Sequence, residues 1–149
     1  MQRFKNKHLC LVVFFVLMAV TSVQSYAQAA DSLYRQVCRP LNYYLEGGTN
    51  NDFDVLKKAF HTNATMKFMS ADEYKEVNAL DFFREKIKPG PPQDRITRIV
   101  SVSVSGNAAS ARVEAEYEDF TFIDYMNLLK TGEEWKIVGK IFYKRETSE

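Results

Sequence analysis

Cysteine and histidine are scarce in this chain, with two of each among 149 residues. Two cysteines exclude a disulfide-framework miniprotein and a cysteine-rich zinc site. An excess of charge of one sign is also lacking. Twenty Lys and Arg face 19 Asp and Glu, a formal net charge of +1. A dedicated nucleic-acid binder would be clearly basic. Glycine and proline number only 6 and 4, tryptophan is single, and no repeat or low-complexity segment occurs. There is no P-loop, no GxGxxG, no HExxH, no GxSxG and no calcium-loop motif. What is present is 46% hydrophobic and 13% aromatic residues, too many for a disordered chain. The length allows one domain.

The first 29 residues read as a secretory signal peptide rather than as part of the fold. Arg3, Lys5 and Lys7 form a basic start, and Leu9 to Val20 is an uncharged apolar run. A membrane span needs about 20 apolar residues, so this run is short for one. Ala27-Gln28-Ala29 fits the A-x-A cleavage pattern, and Ser25-Tyr26-Ala27 is a second option. Cleavage after Ala29 leaves residues 30–149 as the domain, with no membrane anchor. It removes three basic residues and no acidic one, which turns the net charge to −2. Cys10 and His8 leave as well, so Cys38 and His61 remain alone. A lone histidine excludes a histidine-rich metal site, and no metal is expected. Cys38 sits in an apolar helical pattern and reads as a buried, inert thiol. The expected location is secreted or periplasmic, by a bacterial Sec-type route.

The remainder divides into a helical first part and a strand-rich second half. Asp31-Ser32 caps a helix whose stripe is Leu33, Val37, Leu41, Tyr44 and Leu45. Pro40 is expected to kink it and Gly47-Gly48 to end it. A short second helix carries Phe53, Leu56, Ala59 and Phe60 on one face, with His61 near its end. Ala64 to Met69 alternates as a strand, with Glu73 to Val77 as its hairpin partner. Asn78 caps a third helix, which Pro89-Gly90-Pro91-Pro92 stops. Period-two segments follow at Arg95–Ser105, Ala109–Tyr117, Phe122–Leu129 and Trp135–Tyr143. Trp135, Ile137, Ile141 and Tyr143 are expected on one face of the last. Helices followed by a meander give an α+β fold. A sheet curled around three amphipathic helices leaves a cone, a common place for a small ligand.

Four residues carry the chemistry that can be read locally. Asp124 lies between Phe122 and Met126 on an alternating strand and faces wherever they face. His61 can act as a general base or bond free carbonyls at a helix end. Tyr44 is in the apolar stripe, as a core tyrosine or a ligand contact. Trp135 is core or a stacking platform. The row Glu114, Glu116, Glu118 reads as a solvated sheet face or an interface rim. Asn63-Ala64-Thr65 is a glycosylation sequon, of use only in a eukaryotic secretory route.

Tyr44-Leu-Glu-Gly47, Ala59-Phe-His61, Asn107 to Val113, Asp124-Tyr125-x-x-Leu128-Leu-Lys130 and Trp135 to Phe142 together resemble the nuclear-transport-factor-2-like (NTF2-like) superfamily. The resemblance reaches its SnoaL and ketosteroid-isomerase-like branch. It is nearest to the secreted group labelled "putative lumazine-binding". It implies a cystatin-like cone of three N-terminal helices on a curved antiparallel sheet. It also implies homodimerisation through the open sheet face. The superfold hosts isomerases, dehydratases, cyclases, hydrolases and plain binding modules. Ketosteroid isomerases pair a tyrosine and a protonated aspartic acid with an aspartate base. By register these positions fall on Tyr44, Asp124 and Phe68. Phenylalanine takes no proton, which disfavours that chemistry. Three readings stand. The first is a module binding a small, partly apolar molecule through Tyr44, Phe68, Asp124 and Trp135, without a cofactor. The second is an isomerase, dehydratase or cyclase using Asp124 and His61. The third is a dimeric interaction module with a filled cavity.

Overall fold

The computed structural model describes residue 28 and residues 30–147. The basic start, the apolar run and the Ala-x-Ala cleavage pattern expected of a signal peptide fall almost wholly outside these residues. The chain divides into two compact units, residues 1–34 and residues 35–149.

In the second unit helix α1 (residues 35–49) runs without a break through Pro40 and on through Gly47 and Gly48. The helix is not interrupted at Pro40, and it ends at residue 49, one residue past the expected Gly47-Gly48. Val37, Leu41, Tyr44 and Leu45 on its stripe are buried. That burial outweighs the one backbone hydrogen bond Pro40 removes. Gly47 has a packing role instead, because a Cβ there would strike the Leu56 backbone. Asp52 caps helix α2 (Phe53–Leu56), its carboxylate accepting from Val55 N at 3.0 Å. A 3-10 turn, Lys57–Ala59, leads into β1 (Phe60–Ser70). β2 (Glu73–Asn78) returns antiparallel to β1. Helix α3 (Ala79–Lys86) follows, with Asn78 Oδ1 accepting from Leu80 N and Asp81 N. The meander is β3 (Ile96–Ser105), β4 (Ala108–Glu116), β5 (Phe120–Thr131) and β6 (Glu134–Glu146).

These strands form one six-stranded sheet in the order β2-β1-β6-β5-β4-β3. The expectation of a purely antiparallel sheet needs correction, since β1 pairs with β6 in parallel. Four strands and helix α3 separate them in sequence, yet they are hydrogen-bonded neighbours in the sheet. Two helices precede the first strand, and the third follows the β1–β2 hairpin.

Alternation sends one side of each strand to the core. On β4 these are Ala109, Ala111, Val113 and Ala115, and on β5 Met126 and Leu128. All but Ala115 join Val37, Leu41 and Tyr44 of α1 in one cluster. β6 does not alternate throughout. Asn127 pairs with Gly139 but Leu128 with Ile137, so Val138 is an extra residue. A bulge of this kind exchanges the faces of everything beyond it. Trp135 and Ile137 are buried, but Ile141 and Tyr143 are 53% and 63% exposed. The expected single face ends at the bulge. Lys140 and Phe142 take the inward positions instead.

Candidate functional site

The bulge places a lysine in the interior. Met126 pairs with Lys140 and Asp124 with Phe142, so Asp124 and Lys140 are diagonal neighbours on one face. Lys140 Nζ donates to Asp124 Oδ1. The Tyr44 hydroxyl, brought down on the stripe of α1, donates to Asp124 Oδ2 at 2.7 Å. The three form a closed unit. The Asp124 side chain is fully buried and that of Lys140 is 4% exposed. Burial pushes the Tyr44 pKa well above its ordinary value, and the Asp124 charge adds to the rise. Tyr44 is thus a permanent hydrogen donor. Burial pulls the Lys140 ammonium below its ordinary value, while Asp124 works in the opposite direction.

Aromatic rings surround this unit. Lys140 Nζ stands 4.3 Å from the Phe142 ring centroid and 5.7 Å from that of Tyr44. Phe142 lies 5.1 Å from Phe68 and 5.7 Å from Phe122. Phe68 contacts Phe82 of α3, whose neighbour Phe83 packs edge-on against Tyr44 at 5.7 Å. In the other direction Phe122 meets Phe120, which stacks on Tyr117 at 4.6 Å. Phe68, Phe82, Phe122 and Phe142 are only half-buried.

A second cation closes the far end of this wall. Arg95 donates to the Tyr117 hydroxyl at 2.7 Å, to Thr49 Oγ1 at 3.0 Å and to the Leu45 carbonyl at 3.1 Å. It thereby satisfies a carbonyl near the end of α1. Tyr117 in turn donates to Gln93 Oε1 at 2.6 Å.

Of the residues singled out from sequence, the structure joins Tyr44 and Asp124 directly. Phe68 reaches them through Phe142. His61 lies on β1 rather than at a helix end, because the strand begins at Phe60. Its Nδ1 accepts from Asn63 N at 3.1 Å, within its own strand. Trp135 is buried at the hairpin end of β6, five residues before Lys140 and about 16 Å along the strand. Its Nε1 has no hydrogen-bond partner among the described residues. Lys140 is the group sequence reasoning missed. Under unbroken alternation it faces outward, and only the extra residue at Val138 turns it in. A lysine two residues from a phenylalanine, beside an inward aspartate on the paired strand, is the signal that was available.

The opposite face of the sheet has its own character. Glu114 is buried, not solvated, and is bonded by both Arg98 and Arg112. Burial alone would raise its pKa, but the hydrogen bonds and charges of both arginines together outweigh burial and hold it below the ordinary carboxylate value. Thr65, Lys67, Ser103, Arg112, Tyr125 and Ile141 line a concavity of about 740 Å³ on this face. Among the described residues no group of three or more His, Cys, Asp and Glu is placed to hold a metal ion.

The family described as "Putative lumazine-binding" matches residues 32–143. An NTF2-like protein of unknown function from Shewanella baltica is similar in structure, with a TM-score of 0.71 and 27% identity. The match covers 78% of this chain and 96% of that one. A second such protein, from Methylobacillus flagellatus, gives a TM-score of 0.67 at 28% identity, over 76% and 93% of the two chains. A cystatin-like fold protein from Burkholderia xenovorans, at 20% identity, shares the fold with a TM-score of 0.59 over 76% and 92%. No protein of curated function matches the chain.

Proposed function

The chain belongs to the "Putative lumazine-binding" family of NTF2-like domains, and from that premise we propose that it binds a small, flat, partly apolar molecule against the aromatic wall beside Tyr44, Asp124 and Lys140. The observation that carries this reading is the buried Lys140–Asp124–Tyr44 unit next to half-buried rings. A buried ion pair is seldom retained for stability, because an apolar replacement of equal volume is often as good or better. Convergent polar groups set in an apolar, aromatic surround are what a small-molecule site requires. The family's description adds the kind of ring to try, since lumazine is a flat heteroaromatic with carbonyl groups. Binding is favoured over acid catalysis by Asp124, because both of its oxygens already accept hydrogen bonds.

A thermal-shift screen of lumazine and of apolar aromatic carbonyl compounds tests the reading. The expected result is a concentration-dependent rise in Tm for at least one ring, lost when Phe142 is replaced by alanine. No rise for any of them at millimolar concentration would remove the site.

The sheet face of Tyr125, Ile141 and Tyr143 supports a second copy as partner. All three are exposed, two of them aromatic, on a face ringed by Arg98, Arg112 and Glu116. A stable dimer buries about 800 Å² per partner, which a six-strand face can supply. Light scattering is expected to give twice the chain mass, and the Ile141→Lys variant the single mass. The reading also includes export, on the strength of the basic start, apolar run and Ala27-Gln28-Ala29. Mass spectrometry of protein expressed in a bacterium with its first 29 residues in place checks this. A mass starting at residue 28 or 30 is expected, and an intact start would contradict it.

A further inference from the structure

Of the three buried groups, two have already committed the atoms a ligand would use. The single Tyr44 hydroxyl hydrogen goes to Asp124 Oδ2, and Asp124 Oδ1 holds Lys140. An ammonium has three N–H bonds. One is directed at Asp124, and among the described residues no second oxygen or nitrogen accepts from Lys140. Its side chain is 4% exposed, so bulk water does not make up the difference. Its other near neighbour is a ring face, 4.3 Å away at Phe142, and a ring is a poorer acceptor than an oxygen. Lys140 is also the member of the unit that stands over the face of Phe142.

We infer that Lys140 receives the ligand, through a carbonyl oxygen or ring nitrogen on a flat, uncharged ring, while Asp124 and Tyr44 hold the amine in place. Such a role presupposes the ligand site argued above and adds the chemistry the ligand must carry. A cationic ligand would meet the Lys140 charge in a place that already holds one cation over a ring. A carboxylate would set a second anion beside Asp124. A neutral acceptor meets neither cost. It completes the hydrogen bonds of the ammonium while its ring lies on Phe142 and its neighbours.

Two probes of equal shape separate these contributions. 2-Acetylnaphthalene carries a carbonyl oxygen where 2-isopropenylnaphthalene carries a CH₂ group. Calorimetric titration of the protein is expected to show the ketone binding about tenfold or more tightly than the alkene. The Asp124→Asn, Lys140→Met double variant avoids leaving a buried charge unpaired. In it the two probes are expected to bind alike. Equal binding by the unaltered protein would overturn the role of Lys140 and leave the ligand site standing. Binding of neither probe would overturn both. Should the double variant not fold, ¹³Cε and ¹⁵Nζ signals of Lys140 in the unaltered protein serve instead. They are expected to move with the ketone and not with the alkene. Signals that stay still at saturating ketone would overturn the role of Lys140.

Discussion

Asp124 shows how much a single carboxyl depends on its neighbours. It is fully buried, and among the described residues the ammonium of Lys140 and the hydroxyl of Tyr44 answer it. Removing one partner leaves the other exposed to an apolar interior. Tyr44→Phe is expected to cost about 1.5–3 kcal/mol, the usual worth of a hydrogen bond to a charged group. Asp124→Asn and Lys140→Met are each expected to cost about 3–5 kcal/mol, because each strands a buried charge. The double variant is expected to lose much less than the sum of the two. Urea denaturation of the four proteins measures that coupling. Additive costs would mean that the two side chains do not share one interaction. At this scale the sequence was partly legible. Asp124 and Tyr44 stand in apolar patterns that point them inward. Lys140 could not be found in the same way, since its own strand pattern directs it to solvent until the bulge is known.

The bulge in β6 is the element on which the site depends. The period-two pattern and the turn residues marked all four strands of the meander and the β1–β2 hairpin to within a few residues. The cap at Asn78 was equally legible, because a short polar side chain before an apolar run has a local cause. The parallel pairing of β1 with β6 was not, because it joins segments more than 70 residues apart. The extra residue at Val138 was not legible either. Val138-Gly139 reads as ordinary strand, and its irregularity exists only in the register against β5. Deletion of Val138 puts Ile137 and Lys140 two positions apart, the spacing of one face, so Lys140 is expected to stay opposite Met126 and inward on a regular strand. Acylation of lysines by an amine-reactive ester, read by peptide mass spectrometry, checks this. Lys140 is expected to react slowly both in the unaltered protein and in the deletion variant. Reaction at the rate of exposed lysines in the deletion variant would contradict this register.

At the scale of the whole molecule, one sheet carries a separate chemistry on each face. The inner face joins the core to the aromatic wall. The outer face carries the Arg98–Glu114–Arg112 cluster and the exposed Tyr125, Ile141 and Tyr143. Glu114 gives that face a pH dependence. Its folded pKa is held below the ordinary carboxylate value, so its stabilisation is present above the unfolded value and is lost as pH falls through the folded one. Glu114→Gln is therefore expected to lower Tm at neutral pH, with the difference shrinking to nothing in acid. A difference that persists unchanged at low pH would contradict the assignment. Overall composition excluded nucleic-acid and cysteine-metal functions, and patterning announced the α+β class. Neither could say that a lysine and an aspartate meet inside. The most direct test of that site is a calorimetric titration of the unaltered protein and of the Asp124→Asn, Lys140→Met double variant with lumazine. Binding by the unaltered protein, weakened about tenfold or more in a folded double variant, is the predicted result. The same dissociation constant for both proteins would contradict the placement of the ligand at Lys140, Asp124 and Tyr44.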